Sequence, residues 1–454
     1  MKRIWIGICF ALLISNAPSL RAQDGCPPGL PPGTMCVAGQ DSHGAFFLMA
    51  VPINYNHRLI LWNHGYTLSP PAPLGAADLG VAGPLLQLGF AAAASSFRPD
   101  AVGLGGWVVE DAAEDTEKLR KRFVEMFGRP ELTFVTGASE GGLITAEIVE
   151  RFARDEDGKL NYNGSLPLCG PVAGGRKNWY GGFDLRVVYQ YYCKNLPRPN
   201  EHQYPLYLGL ALDNQGLTPD DLLARINECT GLPLPPPAKP TPPTPQQSQN
   251  LANILSVTKI PASFVQIDMF FATFALQELV QVRTHGLNPV TNLGVQYSGS
   301  TDDAALNAGV FRAGPNDRAE DFLDSAYDPN GQVHIPTVTM HTIGDGLVIV
   351  ENENAYQDTL EDVGNAPQLQ QNYTNAGGHC KFTNSEVLAS FQALLNWVEK
   401  NKKPTREDVA TLCQQNTKLF GDTCSLNLDF QPKAFDTRVL DRAAEPARGR
   451  DKQD

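Results

Sequence analysis

Hydrophobic positions in the first third of the chain follow two alternating patterns. Short, continuously apolar runs indicate strands, and longer runs with apolar positions three or four residues apart indicate helices. The clearest helix is 109–127, where Ala112, Leu119 and Phe123 share one face and charged side chains occupy the opposite face. The run FAAAASSF at 90–97 is typical of a parallel strand covered on both faces. In chain order the predicted elements are strands at 45–52 and 58–63 joined by a short turn, a helix at 83–89, a strand at 90–97, a helix at 109–127, a strand at 132–137, a helix at 141–154 and a strand at 164–170.

The alternation is interrupted between about residues 175 and 330. This segment contains aromatic clusters, a predicted helix at 218–228 and a helical stretch at 261–284. Its proline-rich part, 232–245, cannot be regular helix or sheet, and we expect an extended connection there. The alternation then resumes with a strand at 334–345, a helix at 350–361, a strand at 368–374 and a helix at 384–400.

Strand–helix alternation of this kind predicts an α/β fold with a mostly parallel central sheet and helices on both faces. The interruption predicts a large insertion within that fold. The expected division of the chain is a signal peptide at 1–22, a Pro/Gly-rich irregular arm at 23–41, a first core part at 42–175, the insertion at 176–330, a second core part with a C-terminal extension at 331–442, and a charged, mobile tail at 443–454.

The first 22 residues have the features of a secretory signal. A basic start precedes an apolar run at 4–14, and the residues before position 23 form an acceptable cleavage site. That run is too short to span a bilayer well, and no later segment is long and apolar enough to do so. We therefore expect a secreted or periplasmic protein without a membrane partner.

Charge and composition narrow the possible partners. The formal net charge is −13, and the chain has no basic runs. Nucleic acids and anionic lipids are therefore poor candidates as ligands. No CxxC pair or clustered His/Cys spacing suggests a metal site, and we expect no cofactor.

The cysteines predict disulfides. Nine are present, one of them within the predicted signal, and an even number in an exported chain favours pairing. Short separations make Cys26–Cys36 and Cys413–Cys424 plausible local pairs. Burial as free thiols is the alternative for some of them. The remaining four allow three pairings, among which the sequence does not choose: Cys169, Cys193, Cys229 and Cys380.

Ser139, in the stretch TGASEGG, is a candidate nucleophile. The spacing Gly137-x-Ser139-x-Gly141 matches the G-x-S-x-G turn, in which a serine on a tight strand-to-helix connection exposes its hydroxyl. The glycines remove side chains that would clash, and the start of the following helix favours a developing anion. The bare pattern is common by chance. Its position between a predicted strand and a predicted helix makes it informative.

Two backbone N–H groups are candidates for an oxyanion hole. The stretch NHGY places His64 and Gly65 at the end of the strand 58–63. The loop after such a strand supplies one N–H, assigned to Tyr66, and the residue after the serine supplies the other, assigned to Glu140. Only the N–H groups are assigned, not the side chains. The alternative is that the glycine merely ends the strand.

Asp345 and His379 are the candidate partners of the serine. Asp345, in TIGDG, follows a late strand, and His379, in AGGHC, lies on a glycine-flanked loop after the last strand. The order Ser, Asp, His fits a triad in which Asp345 orients His379 and His379 takes the proton of Ser139. An acyl-enzyme would then form and be hydrolysed. The competing residues, which lack these positions, are Asp362 and Glu351 for the acid and His341, most simply a packed residue, for the base.

Taken together, these stretches resemble the α/β-hydrolase superfamily over most of 42–175 and 334–400, and in particular exported bacterial serine hydrolases. The similar stretches are VPINYNHRLILWNHGY, LGFAAAASSF with GGWVVEDAAEDTEKL, TGASEGG and GGHCKFTNSEV. The resemblance implies an α/β-hydrolase fold with a cap formed by the insertion. Tannases and feruloyl esterases are partly similar, with a large lid and a cysteine after the histidine. Their second cysteine precedes the serine, where this chain has Ala138, so Cys380 needs another partner or stays free.

The predicted function is hydrolysis of a small or oligomeric carboxylic ester. A serine peptidase or amidase is the alternative, and it would need an acid in the cap to anchor a substrate amine. A non-catalytic binding protein of the same fold is the third hypothesis, which the intact set of Ser139, Asp345 and His379 disfavours. Aromatic clusters of the insertion are candidates to line an acyl or aryl pocket, although each residue is more simply part of the insertion's own core: 178–183, 187–193 and 269–274.

Overall fold

The computed structural model describes residues 25–442, except 215 and 237–240. The predicted signal peptide, the charged tail and the middle of the proline-rich stretch therefore lie outside the described residues.

One eight-stranded sheet forms the centre of the molecule, with the strand order β1-β2-β4-β3-β5-β6-β7-β8. The first two pairings are antiparallel, and the pairings from β4 to β8 are parallel. Such a sheet with helices on both faces has the predicted α/β-hydrolase fold. The strands are β1 (Met35–Gln40), β2 (Phe46–Val51), β3 (Arg58–Asn63), β4 (Ala91–Ser95), β5 (Leu132–Ala138), β6 (Gly164–Leu168), β7 (Thr337–Thr342) and β8 (Leu369–Thr374).

Helices connect the strands and fill the insertion. A 3₁₀ segment, Ala76–Leu88, which is broken by a kink at Gly80, precedes β4. Two π-helical turns, Phe271–Ala275 and Leu279–Arg283, follow α6 and α7 and make 265–283 one continuous helical stretch. The helices are α1 (Val109–Phe127), α2 (Glu140–Phe152), α3 (Gly175–Cys193), α4 (Pro219–Thr230), α5 (Pro245–Thr258), α6 (Val265–Phe270), α7 (Leu276–Glu278), α8 (Asp303–Gly309), α9 (Asp317–Tyr327), α10 (Asn352–Asp362), α11 (Asn384–Lys400) and α12 (Arg406–Phe420).

The sheet separates two hydrophobic cores. Along β4, Ala91 and Ala93 face the core that contains apolar residues of α1 and α2. Ala92 and Ala94 face the other core, which contains residues of the 3₁₀ segment and of α11. Because side chains alternate across a strand, a strand buried on both faces is continuously apolar, which explains the run in the sequence.

Three local predictions differ from the structure. The arm 23–41 is not wholly irregular, because its last residues form β1 and pair with β2. The strands predicted at 45–52 and 58–63 follow each other along the chain but are not neighbours in the sheet, since β4 lies between β2 and β3. The predicted helix 83–89 belongs to a longer 3₁₀ segment, which includes Pro84. Predicted limits at 109–127 and 384–400 agree with α1 and α11.

Four disulfides connect the eight described cysteines. Cys26–Cys36 and Cys413–Cys424 are the two local pairs that the spacing favoured. The third disulfide, Cys193–Cys229, joins the ends of α3 and α4 within the segment between β6 and β7. The fourth, Cys169–Cys380, joins the end of β6 to the loop after β8. No helix in the described ranges is both long and apolar enough to cross a membrane.

Candidate active site

Ser139 lies on a very tight turn between β5 and α2. Its backbone has φ 60° and ψ −130°, a conformation that non-glycine residues rarely adopt. A Cβ added at Gly141 would lie 2.1 Å from the carbonyl oxygen of Asn63, and one added at Gly137 would lie 2.2 Å from that of Gly141. The two glycines are therefore required because the backbone of the turn packs directly against itself and against β3.

The structure brings the side chains of Ser139, His379 and Asp345 together in one hydrogen-bonded chain. The Ser139 hydroxyl lies 2.8 Å from His379 Nε2, and His379 Nδ1 lies 2.7 Å from Asp345 Oδ2. The Asp345 side chain is fully buried, whereas the imidazole is partly exposed. This arrangement places an imidazole where it can take the serine proton and a carboxylate where it fixes the tautomer of that imidazole.

Backbone groups hold Asp345 in place. Its Oδ1 accepts hydrogen bonds from the N–H groups of Leu347 and Val348, each at 3.1 Å. His341 stabilises the same turn, because its Nε2 lies 2.8 Å from the carbonyl oxygen of Val348 and its Nδ1 lies 3.2 Å from Glu353. His341 is thus a buried positioning residue, in line with its prediction as a packed side chain.

The alternative acids lie elsewhere. Glu351 faces Arg438, with 3.4 Å between its Oε2 and the guanidinium. Asp362 is exposed at the end of α10. The imidazole of His379 contacts Asp345 instead of either of them.

The loop after β3 lies directly over the serine. A Cβ added at Gly65 would be 3.0 Å from the Cβ of Ser139. Among the described residues, no hydrogen bond engages the backbone N–H of Tyr66 or that of Glu140, which begins α2. An oxyanion hole requires such unengaged donors near the serine; Glu140 directly follows Ser139, and Tyr66 follows Gly65, which approaches the same serine.

The side chain of Glu140 also belongs to the site, which the sequence did not predict. Its carboxyl is buried and accepts a hydrogen bond from the N–H of Val108 at 2.8 Å. Burial raises the pKa of this carboxyl to about 8, although the hydrogen bond from Val108 and the charge of Arg283 oppose the shift.

Residues of the insertion pack over this site. The ring of Phe271 lies 5.1 Å from that of Tyr66, and a Cβ at Gly346 would lie 2.5 Å from the ring of Phe264. A pocket between the insertion and the core reaches Ser139. Its wall is mainly apolar and aromatic, with Tyr66, Trp107, Trp179, Phe271, Leu347, Val348 and Val439 among its residues. Trp179 and Phe271 come from the predicted aromatic clusters, whereas Phe183 is buried in the hydrophobic core.

A buried ion pair of the insertion accepts a hydrogen bond from the core beside this pocket. Glu278 accepts a hydrogen bond from the N–H of Trp107 at 3.0 Å and one from Arg283 Nε at 2.8 Å. Both charged side chains are less than 10% exposed. No pattern in the sequence predicts the contact between Trp107 and Glu278.

The disulfide Cys169–Cys380 lies next to the candidate base. Cys380 directly follows His379, and its Sγ lies 3.4 Å from the imidazole Nε2. The partner cysteine ends the neighbouring strand β6 rather than preceding the serine. The cysteine after the histidine therefore has a different partner from the one that it would have in a tannase.

Comparisons with known proteins give structural likeness only. No protein-family model matches the chain, and no curated protein matches it in sequence. An esterase from Aspergillus oryzae is 14% identical, with 82% of this chain and 80% of that chain covered and a TM-score of 0.42. A tannin acyl hydrolase from Aspergillus niger is 12% identical (82% and 79% covered, TM-score 0.40).

An acylaminoacyl peptidase from Pyrococcus horikoshii is 9% identical, with a TM-score of 0.41. The comparison covers 84% of this chain but only 43% of the peptidase. The assignment of the fold rests on the order and direction of the strands rather than on these likenesses.

Proposed function

We propose that the protein is a secreted serine hydrolase that cleaves carboxylic esters. The observation that carries the proposal is the hydrogen-bonded chain from Ser139 through His379 to Asp345. Ser139 lies on a strained turn under an apolar pocket, which suits a nucleophile that attacks an uncharged acyl group. The insertion 176–330 serves as the cap over that pocket.

In the proposed reaction, Ser139 Oγ attacks the ester carbonyl carbon while His379 Nε2 takes the hydroxyl proton. The N–H groups of Tyr66 and Glu140 stabilise the oxyanion of the tetrahedral intermediate. The intermediate collapses, and His379 gives its proton to the leaving alcohol, which leaves an acyl-serine. A water molecule deprotonated by His379 then hydrolyses the acyl-enzyme and restores the free serine. Asp345 stabilises the imidazolium at both steps.

The purified protein should hydrolyse 4-nitrophenyl butyrate faster than aminoacyl 4-nitroanilides. The Asp345→Asn variant should lose kcat by a factor on the order of 10³–10⁴, because the imidazole then adopts the wrong tautomer. Asp362→Asn, at the exposed end of α10, is the matched control and should retain the wild-type rate. Wild-type kcat in Asp345→Asn would assign the orienting role to another acid. Faster hydrolysis of the anilides would favour the peptidase alternative.

A further inference from the structure

One carboxyl group in the pocket wall has no partner. Asp268, in α6, lines the pocket that contains Ser139 and is only 7% exposed. Neither of its carboxyl oxygens has a hydrogen-bond partner among the described residues. Buried polar groups are nearly always hydrogen-bonded, so an acid with two unused oxygens facing a pocket indicates a missing ligand group.

Other acids in the same wall do have partners. Asp184 accepts a hydrogen bond from the Tyr297 hydroxyl at 2.6 Å and pairs with Arg442 at 3.0 Å. Glu140 accepts the N–H of Val108. Asp268 therefore differs from these two acids of the same pocket, because neither of its oxygens has a partner. Four donor atoms of residues that line the pocket also lack partners: Tyr66 Oη, Trp107 Nε1, Trp179 Nε1 and Arg438 Nε.

The charges around the pocket favour a cation as the missing group. Arg438 also lines the wall, but its guanidinium lies 3.4 Å from Glu351, and no cationic side chain within the described ranges forms an ion pair with Asp268. Burial raises the pKa of Asp268, the negative charge of Asp345 raises it further, and the charge of Arg438 lowers it. A positive charge brought by a ligand would offset the effects of burial and of Asp345 and favour the ionised carboxylate.

The number of hydrogen-bond donors also favours an ammonium group as the ligand of Asp268. An ammonium group has three N–H donors and can satisfy both oxygens of Asp268, whereas a hydroxyl donates only once. Tyr66, Trp179 and Phe271 line the same pocket, and aromatic rings can attract cations.

We propose that Asp268 binds an ammonium group of the substrate, so that the preferred esters carry a positive charge on their acyl or alcohol part. Because the peptidase alternative also needs an acid in the cap, the comparison of 4-nitrophenyl butyrate with aminoacyl 4-nitroanilides decides between the two classes of substrate. This inference rests on the proposed function, because it names the substrate class of that site. Asp268 would be a specificity-determining residue of the cap.

The test compares two inhibitors of equal length at one pH near 7.5. Hydrolysis of neutral 4-nitrophenyl butyrate is measured with n-hexylammonium and with 1-hexanol, in the wild-type protein and in Asp268→Asn. We expect n-hexylammonium to bind the wild type at least about tenfold more tightly, and this preference to disappear in Asp268→Asn. Asp220→Asn, an exposed acid of α4 in the same insertion, should keep the wild-type preference.

Two results would overturn the proposal. Equal inhibition of the wild type by both compounds would show that the pocket does not recognise a cation, and this result needs no variant. A preference that persists in Asp268→Asn would assign cation binding to another group. If the protein hydrolyses no ester, direct calorimetric titration with the same two compounds still tests Asp268, so failure of the proposed function is distinguishable from failure of this inference.

Discussion

Glu140 combines two properties at the residue scale. Its backbone N–H is a candidate oxyanion donor, and its side chain fixes the start of α1 through the N–H of Val108. The sequence predicts the first property, because the residue after the serine in a G-x-S-x-G turn has a defined place. It does not predict the second, since a glutamate at the start of a helix is ordinarily an exposed residue.

Replacing Glu140 by Gln should change how activity and stability depend on pH. Because the pKa is raised to about 8, the folded wild type keeps a proton that the unfolded chain releases near pH 4.5. The free energy of unfolding should therefore fall as pH rises from about 4.5 to about 8, by an amount on the order of a few kcal/mol. Ionisation also places a negative charge beside the developing oxyanion, so kcat should decrease above about pH 8.

In Glu140→Gln, neither the free energy of unfolding nor kcat should show its decrease with rising pH. The amide keeps the size of the side chain and a carbonyl oxygen that can accept the N–H of Val108. Denaturant unfolding at pH 5.5 and pH 8, with kcat measured between pH 6 and pH 9.5, checks the prediction. An unchanged pH profile in the variant would assign the decrease to another group.

At the scale of elements, local patterns could be predicted from the sequence, whereas the contacts between distant elements that hold the candidate site in place could not. The helix 109–127 and the turn after β5 were predictable because a periodic pattern and a short motif specify them locally. Cys169 and Cys380 are separated by 211 residues, and only the parallel pairing of β6, β7 and β8 brings their elements close. Sequence spacing cannot choose such a partner.

The disulfide Cys169–Cys380 should matter for catalysis as well as for stability. In a Cys169→Ser/Cys380→Ser variant, the loop of His379 loses its covalent attachment to β6. A displacement of the imidazole by about 1 Å can cost about 100-fold in rate, so kcat should fall at least tenfold. Stability should also fall, by about 2–5 kcal/mol.

The matched control is Cys26→Ser/Cys36→Ser, which removes the disulfide at the edge strand β1. This control should lose stability while keeping kcat within about twofold, since no residue of the hydrogen-bonded chain is attached to that strand. Equal loss of kcat in both variants would indicate a global effect rather than a local one. Steady-state kinetics together with thermal unfolding separates the two cases.

At the scale of the whole molecule, the insertion and the sheet meet around the pocket. Strand–helix alternation predicted an interruption between about residues 175 and 330, and in the described part of the chain no strand of the sheet lies between β6, which ends at Leu168, and β7, which begins at Thr337. It did not predict α3, whose buried residues include Trp179, Phe183 and Val187 and leave no clear polar stripe. It also could not distinguish Asp268 from a surface acid, because only the packing of α6 turns that carboxyl towards the pocket.

The buried Glu278–Arg283 pair should contribute to the stability of the insertion. Glu278→Gln removes the charge that neutralises buried Arg283, and loss of one partner of a buried pair costs about 3–5 kcal/mol. Glu201→Gln, which weakens the more exposed pair with Arg225 inside the insertion, should cost only about 1 kcal/mol or less. Urea unfolding of both variants tests the difference. Similar losses would show that burial does not increase the contribution of the Glu278–Arg283 pair to stability.

Covalent labelling of Ser139 tests the central claim most directly. The wild-type protein is incubated with a fluorophosphonate probe, digested and analysed by mass spectrometry to locate the modified residue. We predict one modified peptide carrying the label on Ser139, no labelling in Ser139→Ala, and labelling slowed by a factor on the order of 10³ or more in His379→Ala. Labelling that persists in Ser139→Ala, or a wild-type protein that does not react, would contradict the assignment of Ser139 as the nucleophile.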